Sequence, residues 1–283
     1  MSDNNFIIAD RLLHTTTRIE CFDENGQLST GTGFFFDMKL ADGNVPLLVT
    51  NKHVISGSKD GRLILTTRNE DGSPEIGNKR EFYIPNFEKS FIPHPDDDVD
   101  LAVLPIAPLL KHVNAFTQHL DESLLPTEKN IKDIFAMDDI IMIGYPNSLI
   151  DPENNLPICR KGIAATPPQV DYAGKKQFLI DAAVYPGSSG SPVFLYNPNT
   201  YTDHRGNIYC GERLILMGIL FAGFEREQQG EIRIREIPTR QEPVLFTSIP
   251  INLGIVIKSE RLMDFKPIIE KEIARQSHNG LPG

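Results

Sequence analysis

Cysteine is scarce in this chain, and long apolar runs and an excess of basic residues are absent. Three cysteines in 283 residues, Cys21, Cys159 and Cys210, are odd in number and widely spaced. They offer neither a disulfide framework nor a CxxC metal site, and three reduced thiols are the expected state. No apolar run approaches the roughly 18–20 residues that a membrane helix needs. The opening MSDNNFIIADRLL has no basic region, long apolar stretch or small-residue cleavage site, so no secretory leader and a cytoplasmic location are expected. The net charge of −10 repels phosphate, and neither nucleic acid nor membrane is an expected partner. Repeats and low-complexity blocks are also missing.

What is present suits many short strands. Hydrophobic residues make up 40%, enough for a sizeable core, and 21 glycines with 21 prolines supply the turns. Strand-like runs fall at 14–22, 31–36, 46–51, 61–67, 80–84 and 100–105, separated by turn signals such as Asp71–Gly72–Ser73–Pro74. Residues 109–125 lose the two-residue alternation and read as a partly helical connector. Strands resume at 139–144, 158–165, 177–183, 191–196, 214–221 and 251–257. Leu262, Phe265, Ile268, Ile269 and Ile273 then recur at helical spacing, with Pro267 at a start or kink. The expected fold is all-β: two six-stranded antiparallel barrels side by side, spanning 10–108 and 136–258. A connector at 109–135 joins them and a C-terminal helix at 259–276 follows. A site at their junction would draw on both halves.

Three stretches carry chemistry. YPGSSGSPVF (185–194) sets two glycines and three serines directly against an apolar strand. Glycines beside a serine permit backbone conformations that let successive N–H groups converge on one point, although a plain tight turn would look the same. LLVTNKHVISG (47–57) ends an apolar strand and places His53 in a turn. His14, His94, His112, His119, His204 and His278 show no zinc spacing, so no metal is expected. HPDDDVDLAVLPI (94–106) sets Asp100 at the start of an apolar strand, where a carboxylate needs a partner. The run Asp96–Asp98 lacks the spacing of a calcium loop and reads as a solvated turn.

In the order His53, Asp100, Ser189, these motifs resemble the chymotrypsin/trypsin-like serine protease family, over residues 12 to 270. The likeness is to its bacterial trypsin-like and glutamyl-endopeptidase branch. TNKHV is similar to the family's histidine motif, Asp100–Leu101–Ala102–Val103 to its aspartate motif, and Gly187–Ser188–Ser189–Gly190–Ser191–Pro192 to its nucleophile motif. The resemblance implies a serine endopeptidase without a cofactor. Ser189 would be the nucleophile, His53 the general base, Asp100 its orienting acid, and the N–H groups of Gly187 and Ser189 the oxyanion hole. Secreted trypsins carry an aspartate before the nucleophile that pairs with a new N-terminus; here Ser188 stands there, so no such activation is expected. The resemblance places Ala183 at the base of the specificity pocket, with Val184 narrowing it. Phe221, Ala222, Gly223, Asn252, Leu253 and Gly254 would form the walls, left open by Gly223 and Gly254. Leu220 stands where glutamyl endopeptidases have a histidine. An apolar residue before the scissile bond is the expected preference, in a protein or peptide substrate. Residues 225–245 read as a charged insertion, either a solvated hairpin or a lid that docks a regulatory partner. A catalytically silent binding module, a latent protease needing a partner and a small-ester hydrolase are the rival readings.

Overall fold

The computed structural model describes residues 8–41, 43–111, 114–146, 151–231 and 244–278. The N-terminal half holds strands β1 (Thr16–Phe22), β2 (Leu28–Leu40), β3 (Gly43–Thr50), β4 (Asp60–Arg68), β5 (Pro74–Pro85), β6 (Ile92–Pro93), β7 (Ala102–Pro105) and β8 (Leu120–Asp121). They form one sheet in the order β5-β4-β1-β2-β3-β7-β6, with β8 pairing parallel to β2. One face packs on a core that includes Ile19, Phe35, Leu48, Leu63, Phe87 and Ala102.

The C-terminal half holds β9 (Asp139–Gly144), β10 (Ile158–Ala164), β11 (Gln177–Asp181), β12 (Pro192–Asn197), β13 (Thr200–Thr202), β14 (Ile208–Cys210), β15 (Arg213–Glu231) and β16 (Val244–Lys258). Six of these close a barrel, β10-β11-β16-β15-β12-β9, around Ile140, Phe178, Ile180, Val193, Met217 and Val256. The expected second barrel is therefore present. The N-terminal ladder, among the described residues, is an open sheet rather than a closed six-stranded barrel, because β5 and β6 end it without pairing to each other.

A third core cluster joins the halves. Phe34, Phe36, Leu47, Val49, Leu101 and Val103 from the first sheet meet Ile143, Phe194, Leu216, Ile219 and Ile257 from the barrel. Burying such aromatic and branched side chains contributes about 1.5–3 kcal/mol each, which holds the two halves in register.

Local departures from expectation have physical causes. The connector carries a helix at Ala107–Lys111 and 3-10 turns at Glu122–Leu124 and Ile131–Asp133. The hairpin of β13 and β14 is too short for periodicity to show. At 225–231 the backbone of β15 pairs only with 244–250 of β16, a two-stranded extension past the barrel, and residues 232–243 lie outside the described residues. The C-terminal segment is a 3-10 stretch, Ser259–Phe265, leading into an α-helix, Lys266–His278, with Pro267 in its first turn. Leu262, Phe265 and Ile269 enter the joining core, whereas Ile273 is 41% exposed.

This C-terminal segment also grips the loop that leads to Asp100. Arg261 pairs with Asp96 at 2.8 Å, and buried His94 donates from Nε2 to Asp264 at 3.1 Å. The N–H of Asp96 donates to His94 Nδ1 at 3.0 Å, so the buried imidazole is neutral. Burial, then the nearby Arg261 charge, pushes its pKa below the ordinary value despite Asp264; burial lowers His14 likewise. A histidine with a depressed folded pKa gains its proton on unfolding, so stability falls as pH drops below about 6.5. The melting temperature should therefore be lower at about pH 5.5 than at about pH 7.5. His94→Asn should flatten that slope in melts run at both pH values; an unchanged slope would exclude His94 as the source.

Candidate active site

β3 ends at Thr50 and turns into the one-turn helix Lys52–Ile55, which carries His53. Asn51, fully buried, donates from its amide to the Asp100 carbonyl at 2.7 Å and ties this turn to the strand end before β7. The Asp100 carboxylate accepts twice from His53: from the backbone N–H at 3.0 Å and at Nδ1 at 2.5 Å. A carboxylate can only accept, so Nδ1 holds the proton and Nε2 presents its lone pair away from Asp100. The imidazole is half exposed, open to a substrate on that side.

The serine loop comes from the other half. Gly187 and Gly190 have φ of +86° and +88°, in the region that favours glycine. Ser188 and Ser191 are fully buried, while Ser189 is partly exposed. Most N–H groups of the loop are engaged: Ser188 donates to the Tyr185 carbonyl at 3.0 Å, Gly190 to Leu220 at 2.9 Å and Ser191 to Ser188 at 3.0 Å. Among the described residues, the N–H groups of Gly187 and Ser189 have no acceptor. They are the pair that can receive an oxygen anion. Ser189 Oγ makes no hydrogen bond to His53 among the described residues.

Thr32 of β2 joins the two halves at this point. Its N–H donates to the Ser189 carbonyl at 2.9 Å and its hydroxyl to the Gly187 carbonyl at 2.9 Å. The same hydroxyl accepts from the Tyr145 N–H at 3.1 Å, and the Thr32 carbonyl accepts from Thr50 Oγ1 at 2.8 Å. Sequence reasoning missed Thr32, because nothing near GTGFFF marks a contact with a loop more than 150 positions away.

A cavity of about 170 Å³ opens beside Ser189, lined by Val184, Tyr185, Pro186, Leu220, Phe221, Ala222, Gly223 and Phe224. Among the described residues, no charged side chain lines it. Val184, Phe221, Ala222 and Gly223 were expected there; Ala183 and Gly254 were expected too but do not line it. The Ala183 carbonyl instead takes a hydrogen bond from Arg160. At Gly254 a Cβ would lie 2.8 Å from Leu220 Cδ1 and 2.9 Å from Val184 Cγ2, so side chains close the wall that was expected to be open. A wider hollow of about 520 Å³ lies on the far side of His53, with Phe91, Pro93, Asp97 and Asp100 on its walls. Among the described residues, no cluster of His, Cys, Asp and Glu could hold a metal ion.

The trypsin-like peptidase domain family matches residues 31–198. No curated protein matches the chain. Among solved structures, the HtrA-type protease AlgW with a tripeptide is 20% identical at a TM-score of 0.49, over 92% of this chain and 62% of that one. This chain thus spans less than two thirds of that protein's length. The active form of the Rv3671c protease of M. tuberculosis is 16% identical at a TM-score of 0.45, over 92% of this chain and 82% of that one. Its inactive form is 16% identical at 0.43, over 90% and 88%. On the match of 31–198, which covers more than half of its length, the chain belongs to the trypsin-like peptidase domain family.

Proposed function

We propose that this protein cleaves peptide bonds through an acyl-enzyme formed on Ser189. His53 Nε2 takes the hydroxyl proton as Oγ attacks the carbonyl carbon, then returns it to the leaving amine. A water molecule, deprotonated by the same nitrogen, then attacks the acyl carbon; the acyl–Oγ bond breaks, and the imidazolium returns that proton to Ser189 Oγ. Asp100 holds the imidazole with its proton on Nδ1 and stabilises the imidazolium. The N–H groups of Gly187 and Ser189 hold the oxyanion. The observation that carries this reading is the pairing of two acceptor-free amides around the one accessible serine of the loop.

The uncharged cavity beside Ser189 supports a preference for an apolar residue before the scissile bond, and Val184 limits its depth. Val184→Ala should shift kcat/KM toward Leu or Phe over Ala at that position by about 10-fold, the discrimination that one or two methylenes provide. A matched set of peptides differing only there measures it, and an unchanged ranking would remove Val184 from the pocket. Three free cysteines, with Cys21 buried, support action in a reducing, cytoplasmic compartment.

The direct test is labelling of the purified chain by a fluorophosphonate, with Ser189→Ala and His53→Ala as controls. Labelling lost in both variants is the expected result; labelling that survives Ser189→Ala would sink the assignment. One observation favours a second reading, a latent protease: Ser189 Oγ makes no bond to His53. Labelling that appears only on adding a substrate-like peptide or a partner protein would select it, although such bonds are often long without substrate.

A further inference from the structure

Arg160 of β10 is partly buried against the serine loop, and among the described residues no carboxylate pairs with it. One guanidinium nitrogen, Nη1, donates to the Ala183 carbonyl and the other, Nη2, donates to Ser188 Oγ at 2.6 Å. The guanidinium also lies 5.9 Å from the Tyr185 ring centre. Its Nε is buried with no hydrogen-bond partner, and burial lowers its pKa from the usual arginine value. A partly desolvated cation whose described partners are neutral gains little stability, and an apolar side chain of similar volume would fill the site with less penalty. The geometry, not stability, is what this residue supplies.

Its two contacts lie at the entry of the loop and between the two acceptor-free amides. Ser188 is fully buried, so in the intact chain its hydroxyl is held by Arg160 rather than by solvent. Thr32 holds the neighbouring Gly187 carbonyl from the opposite side. Gly187, at φ +86°, leaves the loop sterically free to rotate its peptide planes, and the restraint must come from these bonds. A planar guanidinium spans both points at once; an ammonium does not.

We propose that Arg160 is a positioning residue that clamps Ala183 and Ser188, and so holds the Gly187 and Ser189 N–H groups in the orientation that receives the oxyanion. This rests on the reading of Ser189 as nucleophile. The chain then carries its own internal support for this loop, bonded to a neutral serine.

The test uses the 283-residue chain with Arg160→Met, Arg160→Lys, Arg160→Ala and Ser188→Ala. The readouts are the rate constant of fluorophosphonate labelling and the hydrogen exchange of peptides covering 183–191. Labelling should fall about 10²-fold in Arg160→Met, the loss expected of a displacement near 1 Å. It should fall about 10-fold in Ser188→Ala, and Arg160→Lys should not restore it. Exchange should rise in 183–191 and not elsewhere in the barrel. Millimolar methylguanidine should recover labelling in Arg160→Ala, which a merely structural role would not produce. Labelling within threefold of wild type in the Arg160 variants, or exchange raised evenly throughout the barrel, would overturn the proposal. Ser188→Ala cuts one end of the clamp and leaves Arg160 in place, so it decides the matter if Arg160→Met does not fold. Should wild type not label at Ser189, the nucleophile reading fails by itself. Exchange then judges the clamp alone: a rise confined to 183–191 upholds it and no rise refutes it.

Discussion

Peptide hydrolysis by Ser189→Ala is expected to fall about 10⁶-fold in kcat, and by Asp100→Asn about 10⁴-fold. The first change removes the attacking oxygen. The second keeps the shape but reverses one hydrogen bond. Asp100 accepts both the His53 N–H and the proton on Nδ1. An asparagine has one accepting oxygen, and its amide would face one of those two donors. The imidazole relieves this by moving its proton to Nε2, where it can no longer accept from Ser189. KM should stay within threefold in both variants, because Asp100 does not line the 170 Å³ cavity and Ser189→Ala removes only one oxygen from its lining. Steady-state kinetics on one good peptide separates the two effects. An Asp100→Asn variant with kcat within tenfold of wild type would mean that the carboxylate does not set the tautomer.

Gly190→Ala is expected to destabilise the chain by about 3–5 kcal/mol and to abolish labelling. Gly190 sits at φ +88°, where an added Cβ is strained by about 1–2 kcal/mol. That Cβ would also lie 1.9 Å from the Thr32 carbonyl oxygen and 2.7 Å from Thr50 Oγ1. Thr32 cannot retreat without breaking its bonds to Ser189 and Gly187, the bonds that join the halves at the site. Urea unfolding would show the loss as a lower midpoint at unchanged slope. A midpoint within error of wild type would mean that the two halves separate here at little cost.

The site was legible in the sequence to the extent that its chemistry is local. His53 follows the end of an apolar strand, Asp100 precedes one, and Ser189 stands between glycines, and each pattern survives inspection of about ten residues. The strands themselves are legible through alternation, and the six expected in the C-terminal half overlap the six that close the barrel. Ala183 and Gly254 show the limit. Their places in a motif were readable, but which side chains occupy the space beside them depends on the pairing of β11, β15 and β16. Ile273 continues a helical period in the sequence, yet the helix has left the core by that turn.

By itself, then, the amino-acid order determined which residue types stand at strand ends and turns, because backbone conformation there follows from neighbours. Only the tertiary structure decided which amides of the serine loop are left without acceptors, and what holds that loop. Thr32 and Gly187 are 155 positions apart, and Arg160 and Ser188 are 28 apart. Such contacts depend on strand register and on how two packed halves meet. A shift of one residue in either would turn each side chain to the opposite face.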